Sequence, residues 1–407
     1  MAEQHGKTLV PQIRFAGFTD PWEQRKLGEL FEESDERASD REILSVSVAN
    51  GIYPASESDR ETNPGASLAN YKVVHSGDVV YNSMRMWQGA VDASRYDGIV
   101  SPAYVVAKPN SEVYARFFAR LLRQPMLLKQ YQQVSQGNSK DTQVLKFDDF
   151  ASIEISMPAS ENEQRRIGAF FGRLDSLITL HQRKYDKLCV LKKSMLDKMF
   201  PKGGSLYPEI RFAGFTDPWE QRKLEDYVVV STAKNVDGRF NKEDVLSVSG
   251  EYGIVNQIAF QGRSFAGSSV LNYGIVNTGD IVYTKSPLNS NPYGIIKVNK
   301  GIPGIVSTLY AVYRPQDNVH TNFIQVYFEQ HERMNNYMHP LVNKGAKNDM
   351  KVTAENALKG VVTFPSREEQ VIISEFFDRL DSLITLHQRK LELLRNIKKS
   401  MLDKMFV

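Results

Sequence analysis

The sequence predicts a mixed α/β (α+β) protein in tandem duplicate, with two variable domains separated by two long antiparallel coiled-coil helices in a pseudo-twofold, circular arrangement. Three observations carry this prediction. PQIRFAGFTDPWEQRKL at 11–27 returns as PEIRFAGFTDPWEQRKL at 208–224. FGRLDSLITLHQRK at 171–184 returns as FDRLDSLITLHQRK at 377–390, and KKSMLDKMF closes both copies. Between the shared segments the two halves diverge strongly, as expected of one frame repeated around different inserts.

The domain order follows from these repeats: 1–27, N-terminal repeat segment; 28–159, first variable domain; 160–201, central helix; 202–224, linker and second repeat segment; 225–365, second variable domain; 366–407, C-terminal helix. The helices are read from heptad spacing. In the first, Phe171, Leu174, Ile178, His181, Tyr185 and Leu188 form the pairing face; in the second, Phe377, Leu380, Ile384, His387, Leu391 and Leu394 do so. Ser160 with Glu163, and Ser366 with Glu369, predict a capping box at each helix start. Two rods related by a pseudo-twofold axis would run antiparallel. The N-terminal repeat would then begin where the second helix ends, which brings the termini together.

Inside the variable domains a faint common pattern persists. ILSVS at 43–47 matches VLSVS at 245–249, GDVVY at 77–81 matches GDIVY at 279–283, and GIVS recurs at 98–101 and 304–307. Short β-branched runs bounded by Gly, Asn and Pro predict strands. The stretches Val113–Val134, broken at Pro125, and Val319–Val342 predict helices.

Composition narrows the function classes. No apolar run approaches the length of about 18 residues that spans a bilayer, and a single cysteine, Cys189, excludes an intramolecular disulfide. A soluble, cytoplasmic protein is expected. The formal net charge is +3, distributed as about −5 over 28–159, +1 over 225–365 and +4 over 160–201. A chain of this charge would hold a polyanion only through a local basic face or with a partner's help.

No catalytic constellation is found. Asn291-Pro292-Tyr293 and the two Asp-Pro-Trp triplets lack a proline of an amino-methyltransferase tetrad, and no Gly-rich cofactor loop accompanies them. His181 and His387 fit the role of polar register-setters better than metal ligands. His331, Glu332 and His339 lack metal spacing. The chain is therefore expected to have no catalytic residue, no metal site and no cofactor of its own.

Polar loops at matching places in both halves are the candidates for nucleic-acid contact. One set is Asn138, Ser139 and Lys140, matched by Lys344, Lys347 and Asn348. The other follows the Gly-Asp strand: Asn82, Ser83, Arg85, Trp87 and Gln88 in one half, Thr284, Lys285, Asn289 and Asn291 in the other. Amide and ammonium groups pair with purine edges or hold phosphates, and neighbouring glycines permit close backbone approach.

Taken in order, the repeated IRFAGFTDPWEQRKL, the Glu163-Gln164 and Glu369-Gln370 helix starts, the LDSLITLHQRK helices, the Gly-Asp strands and the GNSK and GAKN loops resemble the specificity subunit of a Type I restriction-modification system. The resemblance spans nearly everything from Pro11 onward. It implies two target-recognition domains, each reading half of a bipartite, asymmetric sequence in double-stranded DNA, with the helices as a ruler for the spacer. It also implies two methyltransferase subunits docked along the helices, two ATP-driven restriction subunits, and S-adenosylmethionine, ATP and Mg in those partners rather than here. The alternative from another class is a coiled-coil protein-interaction scaffold, which the acidic first domain and the heptads would also fit.

Overall fold

A computed structural model describes residues 9–58, 67–137, 143–267, 269–285, 291–344 and 350–407. The chain forms two compact units, one of residues 1–182 with 389–407 and the other of 183–388. Each unit contains one variable domain, one repeat segment and part of each long helix, Glu161–Lys198 and Arg367–Lys404.

In the first unit a four-stranded antiparallel sheet runs in the order Phe31–Glu33, Tyr104–Pro109, Val79–Asn82, Val91–Ala93. Three two-stranded pairs accompany it: Leu44–Ser47 with Gly51–Pro54, Lys72–Val74 with Gly98–Val100, and Glu23–Lys26 with Glu154–Met157. The second unit repeats the plan. Its sheet runs Val228–Val230, Ala311–Pro315, Ile281–Tyr283, Ile296–Val298, and its pairs are Leu246–Ser249 with Gly253–Asn256, Gly274–Val276 with Gly304–Val306, and Glu220–Lys223 with Val361–Phe364. These strands all pair antiparallel, which makes the domains α+β.

The recurrent sequence fragments now have physical reasons. Gly77 and Gly279 take φ of +104° and +89°, a region that L side chains resist. The following aspartates turn back so that Asp78 Oδ2 accepts from the His75 amide (2.8 Å) and Asp280 Oδ2 from the Asn277 amide (2.7 Å). Gly98 and Gly304 begin strands pressed against the carbonyls of Glu42 and Asp244, where a Cβ would sit within 2.6 and 2.5 Å of oxygen. The EQRK end of each repeat segment pairs with the strand that leads into a long helix, so the two ends of a domain are zipped together at its neck.

Within each unit the long helices run antiparallel. Asp175 meets Lys398 and Gln182 meets Arg395 in the first; Lys192 meets Asp381 in the second. Of the predicted pairing face, Phe171, Leu174, Phe377, Leu380 and Leu391 are buried, while Ile178, His181, Tyr185, Leu188, Ile384, His387 and Leu394 are half-buried.

Both helix-rich stretches break in two. Ala115–Leu121 and Pro125–Val134 are separated at Gln124, whose extended backbone (ψ 139°) is what a following proline demands. Thr321–Glu329 and His331–Met338 break at Gln330 with no proline present, a break the sequence did not predict. There the Gln330 backbone is extended (ψ 116°) and its side-chain amide donates to Asp197 of the long helix (3.2 Å).

The capping boxes need correction. Ser366 Oγ accepts from the Glu369 amide at a long 3.4 Å, and the Glu163 amide goes to the Ser160 carbonyl. Neither carboxylate turns back to its cap. Glu163 instead accepts from Arg14 Nε (2.6 Å) and Nη2 (2.7 Å), and Glu369 from Arg211 Nε (2.8 Å) and Nη2 (2.7 Å), all on carboxylates that are 1% exposed. Hydrogen bonding to glutamate raises both arginine pKa values. The adjacent glutamines bind the domains: Gln164 accepts from the Tyr114 amide and donates to the Glu112 and Pro158 carbonyls, and Gln370 accepts from the His320 amide. Each Glu-Gln pair thus holds a repeat segment with one residue and a variable domain with the next.

Candidate nucleic-acid interface

In the first unit the turn after Val79–Asn82 is tightly made. Asn82 Oδ1 accepts from the Met84 amide (3.0 Å), the Arg85 amide donates to the Asn82 carbonyl, and Trp87 Nε1 donates to the Met84 carbonyl (3.2 Å). Asn82 and Trp87 therefore shape the turn, with Trp87 packed half-buried on the core. Arg85 and Gln88 project from it into solvent.

Ser83 ties three segments together. Its amide and hydroxyl both donate to the Ala103 carbonyl (3.1 and 2.7 Å), while its own carbonyl accepts from the Leu145 amide (2.8 Å). Leu145 follows the Gln136–Val144 bridge, so the base of the second predicted loop lies against the first. Asn138, Ser139 and Lys140 lie outside the described residues, as do Asn289, Lys347 and Asn348.

The second unit places its counterparts at the same point of the sheet. Thr284 is 3% exposed and its hydroxyl accepts from the Ile295 amide (3.0 Å), which makes it a clasp across the turn. Lys285 has φ +51°, an uncommon conformation for a residue with a Cβ, and its ammonium donates to the Thr308 carbonyl (3.2 Å). Burial pushes its pKa down, opposed by nearby Glu355. Asn291 opens the turn closed by the Gly294 amide on its carbonyl (3.0 Å). Lys344 lies in the short strand Asn343–Lys344, paired with Met350–Lys351. Among the described residues no group of three or more His, Cys, Asp and Glu is arranged to hold a metal.

The sequence did not reveal the work of Arg14, Arg211 and the Glu-Gln pairs, although the duplicate copies of all six residues were visible. Nor did it reveal the clusters at Asp175 and Asp381, where residues from the domain and from both long helices meet. No helix among the described residues is long and apolar enough to cross a membrane.

The family model for the Type I restriction modification DNA specificity domain matches twice, over 19–189 and 216–396. The chain belongs to this family. Its role is DNA sequence recognition, and the two matches coincide with the two copies of the duplicated frame. The fold is similar to that of the Type I restriction-modification S subunit from M. genitalium, with a TM-score of 0.60 at 13% identity over 98% of this chain and 99% of that one. The HsdS subunit from Thermoanaerobacter tengcongensis matches at 18% identity over 96% and 98%, with a TM-score of 0.41. For a specificity subunit, solvent-facing polar side chains on a braced edge are the chemistry expected of base and phosphate contact.

Proposed function

We propose that each variable domain reads one half of a bipartite, asymmetric DNA target, and that the long helices set the spacer and dock two methyltransferase subunits. The observation that supports this reading most is the equivalence of the two turns. They follow equivalent strands of two equivalent sheets, yet one carries Arg85 and Gln88 and the other Lys285, as two readers of different half-sites would.

Docking is supported by the repeated LDSLITL segment, which leaves Leu177 and Leu180 43% and 47% exposed, and Leu383 and Leu386 44% and 45%. Exposed leucines at matching positions in two copies fit two identical protein partners. Two restriction subunits would complete the complex in the cytoplasm. Adenine methylation and ATP-driven cleavage, with S-adenosylmethionine, ATP and Mg, would belong to those partners, and this chain would contribute no catalysis.

A genome-wide map of methylated adenines tests the proposal, with the chain present, absent, or carrying a different domain at 225–365. Loss of one bipartite motif on deletion, with a change in only one half on the swap, is the expected result. Unchanged methylation beside an active methyltransferase would favour the scaffold reading instead.

A further inference from the structure

Each unit contains a cluster of charges where its variable domain rests on the long helices, and the two clusters share a constant part. In the first unit it is Asp175 with Lys398, joined at 2.5 Å; in the second it is Asp381 with Lys192, also at 2.5 Å. All four residues lie in the duplicated segments. The variable domains meet this pair in opposite ways. The first domain sends Arg120 to Asp175, and the second sends Glu329 to Lys192 (2.7 Å). The Lys192 and Arg120 side chains are 14% and 15% exposed, so these contacts are largely screened from water.

The polarity is inverted at a second matched place. Asp92 stands opposite Val80 in the first sheet, and Lys297 stands opposite Val282 at the same register in the second. Arg123 and Glu329 occupy the matching positions just before the glutamines that break the helices. Asp92 faces Arg123 in one unit, where Lys297 faces Glu329 in the other. Lys297 is 8% exposed, and one carboxylate oxygen of Glu329 is buried without a hydrogen-bond partner. Such groups are tolerated only where opposite charge is near. Burial alone would push the Lys192 ammonium down, but Glu329 and Asp381 outweigh it and hold its pKa above the ordinary value.

We propose that the repeated Lys-Asp pair is a two-sign docking socket for recognition domains, accepting either a guanidinium on its aspartate or a carboxylate on its lysine. A frame of fixed sequence can then seat domains of unrelated surface in one orientation. The proposal rests on the reading of residues 28–159 and 225–365 as separate recognition domains, but it concerns seating and not base contact.

Four single variants of the full chain test it, read by the rate of proteolytic cleavage of each unit. Lys192→Met leaves Asp381 and Glu329 with only Lys297 near them and should speed opening of the second unit by about tenfold. Lys398→Met leaves Asp175 with Arg120 and should have a small effect on the first. The aspartates should sort the other way: Asp175→Asn strands Lys398 beside Arg120 and should open its unit, whereas Asp381→Asn leaves Lys192 on Glu329 and should be mild. Adding Glu329→Gln to Lys192→Met should restore most of the loss, which distinguishes charge from packing. A chain with residues 28–159 in place of 225–365 should reverse the order at Lys192 and Asp381. Equal effects at equivalent positions of the two units, or no rescue, would overturn the socket. Because cleavage and not methylation is read, failure here is separable from failure of the DNA-reading proposal.

Discussion

The two units close the same joint in different ways. In the second, the long helix ending at Lys198 continues through Phe200 into its own repeat segment, and the Ile210 amide donates to the Lys198 carbonyl (3.0 Å). In the first, the partner of the Ile13 amide is the Lys404 carbonyl (3.0 Å), at the other end of the chain. Phe406 does there what Phe200 does in the second unit. Phe200 lies edge-on to Trp219 (5.8 Å) and against Phe323, while Phe406 lies edge-on to Trp22 (6.1 Å) and stacks on Phe117 (5.5 Å). One joint is covalent and the other is held by aromatic packing and the Ile13–Lys404 hydrogen bond. The repeat segment is thus a clamp that closes the same way on the helix it follows directly and on one that is distant in sequence.

The largest expected effect comes from breaking the untethered joint. Deleting Met405, Phe406 and Val407 removes two buried anchors and should destabilise the first unit by more than about 5 kcal/mol, leaving the second folded. Hydrogen exchange resolved along the chain would show protection lost only around Trp22 and Phe117. Loss in both units together would contradict the comparison.

Next in size are the arginine clamps. Arg14→Ala leaves the Glu163 carboxylate buried and unpaired and should cost about 3–5 kcal/mol in the first unit; Arg211→Ala should do the same in the second through Glu369. Denaturant unfolding of each variant, and of the double variants with Glu163→Gln or Glu369→Gln, would reveal recovery if the stranded charge is the cause. Gln164→Ala removes three hydrogen bonds from a fully buried side chain and should cost about 1–3 kcal/mol by the same assay.

The smallest effect concerns the Gly-Asp turns. Burial pushes the carboxyls of Asp78 and Asp280 above their ordinary range, opposed by hydrogen bonds from the His75 and Asn277 amides. A raised folded value means that the linked stability is complete below the unfolded value of about 3.9 and is lost as pH rises through the folded one. Asp78→Asn and Asp280→Asn should therefore fall off less than the parent in stability as pH is raised from about 4 to 7, read by denaturant midpoints at each pH.

Much of the frame was legible because the sequence states it twice. The heptads at Phe171, Leu174, Phe377 and Leu380, and the meeting of the first repeat segment with the end of the second long helix, followed from periodicity and repeat order. The partner of Glu163 was not legible. A Ser-x-x-Glu pattern has the same spelling whether the carboxylate returns to its own cap or reaches Arg14, 149 residues away. The break at Gln330 was hidden for a related reason, since no proline marks it and the contact its side chain makes, to Asp197, is distant in sequence. The candidate contact residues divide along the same line. Composition marked the turn at Asn82–Gln88, but only the hydrogen bonds separate Arg85 and Gln88, which face solvent, from Asn82 and Trp87, which hold the turn.

The most direct test of the account is to put a second copy of residues 28–159 in place of residues 225–365 within the full chain and map methylated adenines in cells that supply the methyltransferase. Two recognition domains on equivalent mounts predict a motif whose two half-sites are inverted copies of one of the original half-sites, with an unchanged spacer. An unaltered motif, or a folded complex that methylates with no bipartite preference, would contradict it.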